Sequence, residues 1–122
     1  MLSRIPFGMR LVAGLHVVAA LGYLIAMILG LAGVIPLPAD PFARWLGAVG
    51  PLLWLLCVAC IIVRPPWGLR YCLALFACEL GLAFALSDFS RFSVSHLCEL
   101  GIPALCGGYI YLKRDYFALH RA

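Results

Sequence analysis

Four apolar stretches, each close to the length of a membrane-crossing helix, fill most of this chain and leave only short polar links between them. Crossing the hydrocarbon of a bilayer takes about 20 residues of helix. Inside it the backbone must satisfy its own N–H and C=O groups, which leaves helices as the natural form for such stretches. The pattern predicts helices over about 9–34, 43–63, 67–86 and 92–112. The first ends at the proline-rich turn Ile35-Pro-Leu-Pro-Ala-Asp-Pro41. The second carries Pro51 and stops at Arg64-Pro65-Pro66, because a residue before proline is pushed out of helical geometry. The last closes at Lys113-Arg114-Asp115.

Composition excludes a water-facing globule. Of the 122 residues 66% are hydrophobic and 11% charged, with mean hydropathy +1.08. Soluble domains carry roughly 25% charged residues, so lipid must solvate what polar side chains here cannot. Eight arginines against one lysine point to a GC-rich, bacterial genome. The formal charge of +4 is scattered through short links and gives no nucleic-acid signature. Arg4 and Arg10 before an apolar run imitate a signal peptide, but the run at 11–35 is about twice the usual length and no small-x-small cleavage site follows. The expectation is a retained first helix.

Charge sets the expected orientation. Arg4, Arg10, Arg64, Arg70, Lys113, Arg114 and Arg121 fall on one side, whereas Asp40 with Arg44 and Asp88 with Arg91 leave the other side neutral. The positive-inside rule makes the first side cytoplasmic. The expected protein is all-α: a single-domain, multi-pass, antiparallel up-down four-helix bundle in the cytoplasmic (inner) membrane, with both termini cytoplasmic. Trp45, Trp67, Tyr71, Phe92, Tyr109, Tyr111, Tyr116 and Phe117 near the helix ends match an interfacial aromatic belt.

Small residues mark the expected packing faces. Gly22, Ala26 and Gly30 recur every four residues, and Ala74, Cys78, Gly81 and Ala85 do so at three or four. Lipid gives no hydrophobic drive for association, so close backbone approach over small residues supplies the attraction. The partner is another helix of this chain or of a second chain.

Few residues carry chemistry. Glu79 and Glu99 are the carboxylates expected at membrane depth, with His96 three residues before Glu99. An ionisable group there costs about 2.5 kcal/mol or more and is a functional candidate by default. If the two carboxyls faced each other they would share protons, and one pKa would rise. They serve either as a proton or cation relay, or as neutral hydrogen-bonding groups that fix helix register. Cys-Glu-Leu-Gly occurs at 78–81 and at 98–101, too short a repeat to establish an inverted duplication. Cys57-Val-Ala-Cys60 has redox spacing but lies within a helix, where no thiolate forms readily. The four-helix core and CxxC are similar to vitamin K epoxide reductase, but the loop cysteines of that enzyme have no counterpart here. His16, Cys57, Cys60 and Cys106 fall at similar depths on three helices and allow a soft-metal site. A haem shared by His16 and His96 is disfavoured by depths differing by more than about 10 Å. No cofactor is expected.

The size and plan are similar to the small multidrug resistance transporters. Those keep their essential Glu in the first helix, where this chain has His16 and no carboxylate, so their activity is not transferred. Arg64-Pro-Pro-Trp67-Gly-Leu-Arg70-Tyr71 and Tyr111-Leu-Lys-Arg-Asp-Tyr-Phe117 resemble segments of the uncharacterised small four-helix integral membrane proteins common in bacteria. That resemblance implies a fold and no activity. The leading expectation is a non-enzymatic accessory or assembly subunit, in a homo-oligomer or a larger membrane complex. The alternative is a small oligomeric transporter or channel using Glu79 and Glu99; a metal or redox protein comes third. In a cysteine-free background, single cysteines at positions 40 and 90 should label from outside the cell and one at 66 from inside. Reversed labelling would overturn the orientation, and mixed labelling would indicate a dual-topology dimer.

Overall fold

A computed structural model of the chain describes residues 4–86 and 93–118. All regular structure among them is helical: α1 (Phe7–Leu31), α2 (Pro41–Val63), α3 (Gly68–Leu86), α4 (Val94–Leu112) and a single turn, α5 (Asp115–Ala118). α1, α2 and α3 are long and apolar enough to cross a membrane, with most of each stretch facing outward. Leu11, Val18, Leu31, Leu52 and Phe84 are among the exposed apolar side chains. Three such helices point to a membrane protein. The expected start of the fourth helix at Phe92, the Asp88–Arg91 link and Arg121 lie outside the described residues. The chain forms two compact units, Met1–Ile62 and Val63–Ala122.

In the first unit, α1 stops three residues earlier than the apolar run suggests. Gly33 adopts φ +80°, a left-handed backbone that costs glycine nothing. Its N–H donates to the Gly30 carbonyl at 3.1 Å, and the Val34 N–H donates to that of Leu29 at 2.9 Å. These are the paired bonds of a Schellman ending. The chain then turns back so that Leu37 fills the space above Gly30, where a Cβ would collide with it. α2 starts two residues early, at Pro41, because Asp40 caps it: Asp40 Oδ1 accepts from the Phe42 N–H at 3.1 Å. Proline suits the first helical position, where its missing N–H costs nothing. α1 and α2 meet through Met27 against Gly47 and through the rings of His16 and Tyr23 against Trp54.

In the second unit, α3 and α4 pack against each other. The link between them is short, so they run antiparallel. A Cβ on Gly107 would lie 3.2 Å from the Cβ of Phe76, which fixes their register at that level. Pro103 is buried within α4 and denies the Glu99 carbonyl its helical partner.

α5 was not expected; four residues are too few to show a helical period. It is held by Arg64, which leaves α2 with φ +55°. Its guanidinium donates to the Tyr116 carbonyl at 3.1 Å and stands 4.7 Å from the centre of the Tyr116 ring. Tyr116 and Phe117 are buried. The left-handed backbone costs a non-glycine residue about 1–2 kcal/mol, which the cation–π contact and charged hydrogen bond offset.

Arg64→Ala should destabilise the docking of α5 by about 1–3 kcal/mol, read as faster amide exchange over 115–118. Arg64→Gly should lose roughly 1 kcal/mol less, because it removes the backbone cost as well. Burial raises the Tyr116 pKa above 10.0, and Arg64 partly opposes this. A raised folded-state pKa gives stability that is complete below the unfolded value. It is lost as pH rises through the folded value. α5 should therefore undock as pH climbs beyond about 10, and Arg64→Ala should move the phenolate absorbance transition higher still. An unchanged exchange rate in both variants would contradict this latch.

Candidate functional site

Glu79 stands on α3 about 16 Å along the helix from Gly68 and is half-buried. Glu99 is in the second turn of α4 and is exposed. The Phe76–Gly107 register places Glu99 level with Phe84, about 8 Å further along the pair than Glu79. Helical side chains lean toward their own N-terminus, and in an antiparallel pair those directions are opposite. Here Glu79 leans toward the α3 start and Glu99 toward the α4 start, so they lean apart. This arrangement separates the carboxyls along the axis.

His96 is occupied at the helix end. Ser93 is extended, at φ −135° and ψ 171°, and precedes α4 as its N-cap. His96 Nδ1 accepts from the Ser93 N–H at 3.2 Å and lies 3.0 Å from its hydroxyl. This is the geometry of a capping box, with histidine in the place usually taken by Glu or Gln. The sequence signal was Ser93 three residues ahead of His96, but histidine's i+3 relation to Glu99 drew attention instead.

His16 is buried in the first unit. Its Nδ1 lies 2.7 Å from the Val12 carbonyl; a carbonyl only accepts, so Nδ1 carries the proton. The ring meets the edge of Trp54 at 6.1 Å. A metal would have to use Nε2. Cys57 and Cys60 are fully buried on α2, and Cys106 is buried on α4 in the second unit. Among the described residues, no three His, Cys, Asp or Glu side chains gather as a metal site requires. The six cysteines, two of them exposed, form no disulfide among the described residues.

The small residues divide. Gly30 is buried beneath Leu37 of its own link. Gly22 and Ala26 are exposed, and with Ala19 and Tyr23 they line an open groove on α1. Nothing within the first unit comes within 4 Å of a Cβ placed at Gly22, and Gly81 on α3 is equally open within the second. Sequence reasoning also passed over the basic end of the α3–α4 pair, where Arg70, Lys113 and Arg114 are exposed. The register that brings them level depends on the Phe76–Gly107 contact.

Comparison with known proteins finds no match to a family model, a curated protein or a solved structure. The likeness to small bacterial membrane proteins extends as far as a helical chain with three apolar candidate spans.

The capping role has a direct test. His96→Ala should weaken the start of α4 by about 1 kcal/mol, whereas His96→Gln should restore it, because Gln accepts the same bond. Amide exchange over 94–98 reads the difference. Equal loss in both variants would assign His96 a different role.

Proposed function

We propose that this chain is a non-enzymatic accessory or assembly subunit of the bacterial inner membrane, joined to its partners by helix packing. In this reading α4 is a fourth span and both termini are cytoplasmic. α4 is more polar than the other three, but it packs at the level of Phe76, well inside a helix apolar enough to cross. The split of basic residues supports the orientation. The observation that carries the functional reading is the open groove of Ala19, Gly22, Tyr23 and Ala26. Such a groove lets a second backbone approach closely, which is the main source of attraction between helices in lipid. The occupant is a helix of a second copy or of a larger membrane complex.

A small oligomeric transporter or channel is the second reading. It draws support from Glu79, half-buried at mid-helix, since carboxyls at membrane depth mark ion and proton paths. The separation of Glu99 from it argues for single groups acting locally.

Gly22→Leu should fill the groove and lower crosslinked partner in native membranes about fivefold, as a loss near 1 kcal/mol implies. Insertion should be unchanged. Glu79→Gln should leave partner capture intact, because the amide still donates and accepts. Undiminished capture with Gly22→Leu, together with proton-coupled flux in liposomes abolished by Glu79→Gln, would put the transporter first.

A further inference from the structure

The bond that opens α4 fixes the protonation of the side chain that makes it. His96 Nδ1 lies 3.2 Å from the Ser93 N–H. A backbone N–H only donates, so Nδ1 accepts and carries no proton in this state. Imidazolium has a proton on both nitrogens and accepts at neither. The cap and the protonated ring therefore exclude each other. Glutamine, a usual residue at this place in a capping box, would accept without titrating.

The surroundings decide what a proton would do. The Ser93 hydroxyl, 3.0 Å from Nδ1, can take the new N–H, but the Ser93 N–H then faces a donor and loses its acceptor. A cation at this place also meets the positive end of the helix dipole. Glu99 offers the charged ring a second position. It stands one turn along the same face, is exposed, and has no hydrogen-bond or ion-pair partner among the described residues. Its side chain leans toward the α4 start. On α4 itself the other titratable side chain of these turns is Cys98. α3 is the element packed against α4. The Phe76–Gly107 register sets His96 level with the end of α3, about 12 Å beyond Glu79. Residues 81–86 of α3 include no titratable side chain. Asp88 and Arg91 of the link lie outside the described residues, so the test includes them.

We infer that His96 makes the start of α4 an acid-sensitive cap: uncharged, it holds the Ser93 N–H, and on taking a proton it releases that group and loosens residues 94–98. The cap needs only the local geometry. The compartment whose pH it reads rests on the proposed orientation, which turns the α4 start away from the cytoplasm.

The test follows amide protection over 94–98 in the full chain in lipid nanodiscs, as the ratio of intrinsic to observed exchange at each pH. Going from about pH 8 to pH 5, the interval in which histidine titrates, should lower it about fivefold. Protection over 104–110 of the same helix should hold, which separates release of the cap from unfolding. His96→Gln should keep the pH 8 level throughout, and His96→Ala should be low at both ends. Glu99→Gln, and Asp88→Asn with Arg91→Gln, should each retain the response. Unchanged protection in the wild type, an equal response in His96→Gln, or a response abolished by either of the other variants overturns the inference. A spin label at position 94, with Cys78 and Cys98 replaced by Ala, reads the compartment in sealed right-side-out vesicles. Its mobility should rise when the medium is acidified and stay constant when the lumen is. The reverse result refutes the outward orientation and leaves the cap standing.

Discussion

A peptide group carried away from water must bring its hydrogen-bond partner with it, and each helix leaves four N–H groups and four carbonyls at its ends without one. The interiors of these helices meet the requirement by themselves, so apolar side chains suffice there. The ends do not, and the scarce polar and special residues of this chain gather at them. Asp40 caps α2, Gly33 closes α1, and Ser93 with His96 opens α4. Arg64 ends α2 and in the same step holds the carbonyl of Tyr116. His96, which resembles chemistry in the sequence, serves helix termination.

Part of this was legible in advance. Four helices followed from the lengths of the apolar stretches, and Arg64-Pro-Pro gave the end of α2 at the right residue. The end of α1 was misread because Val34 and Ile35 are as apolar as the helix before them. Hydropathy does not record that Gly33 turns left-handed. Asp40-Pro41 was visible as a pair but was read only as part of a turn, although an acid before a proline is a helix start. α5 depends on a contact between residues 64 and 116, which no local pattern contains.

The candidate site was less legible for the same reason. Glu79 and Glu99 were identified by their cost at depth, which is a property of single residues. Whether they face each other depends on the register of α3 on α4, and that is set by Gly107 admitting Phe76. His16 was admitted to a metal set on depth alone, and depth does not record the bond that its ring makes to the Val12 carbonyl. The packing glycines were recognised from their spacing, but only the structure separates Gly30, covered by its own link, from Gly22, which stands open.

On the proposed reading, the chain offers its surroundings an open groove of small residues on α1. Such a groove concerns contact and requires no turnover, which suits a subunit that assembles. The four-span reading turns on α4, which is not among the three helices long and apolar enough to be candidate spans. Spin labels at Ile102 and Leu105 in lipid bilayers, compared with labels at Leu82 and Phe84 on α3, test it directly. All four positions are exposed. Relaxation by oxygen should exceed relaxation by a water-soluble nickel chelate at every one, as hydrocarbon burial requires. Dominant nickel relaxation at 102 and 105 alone would put α4 in water and contradict the four-span bundle.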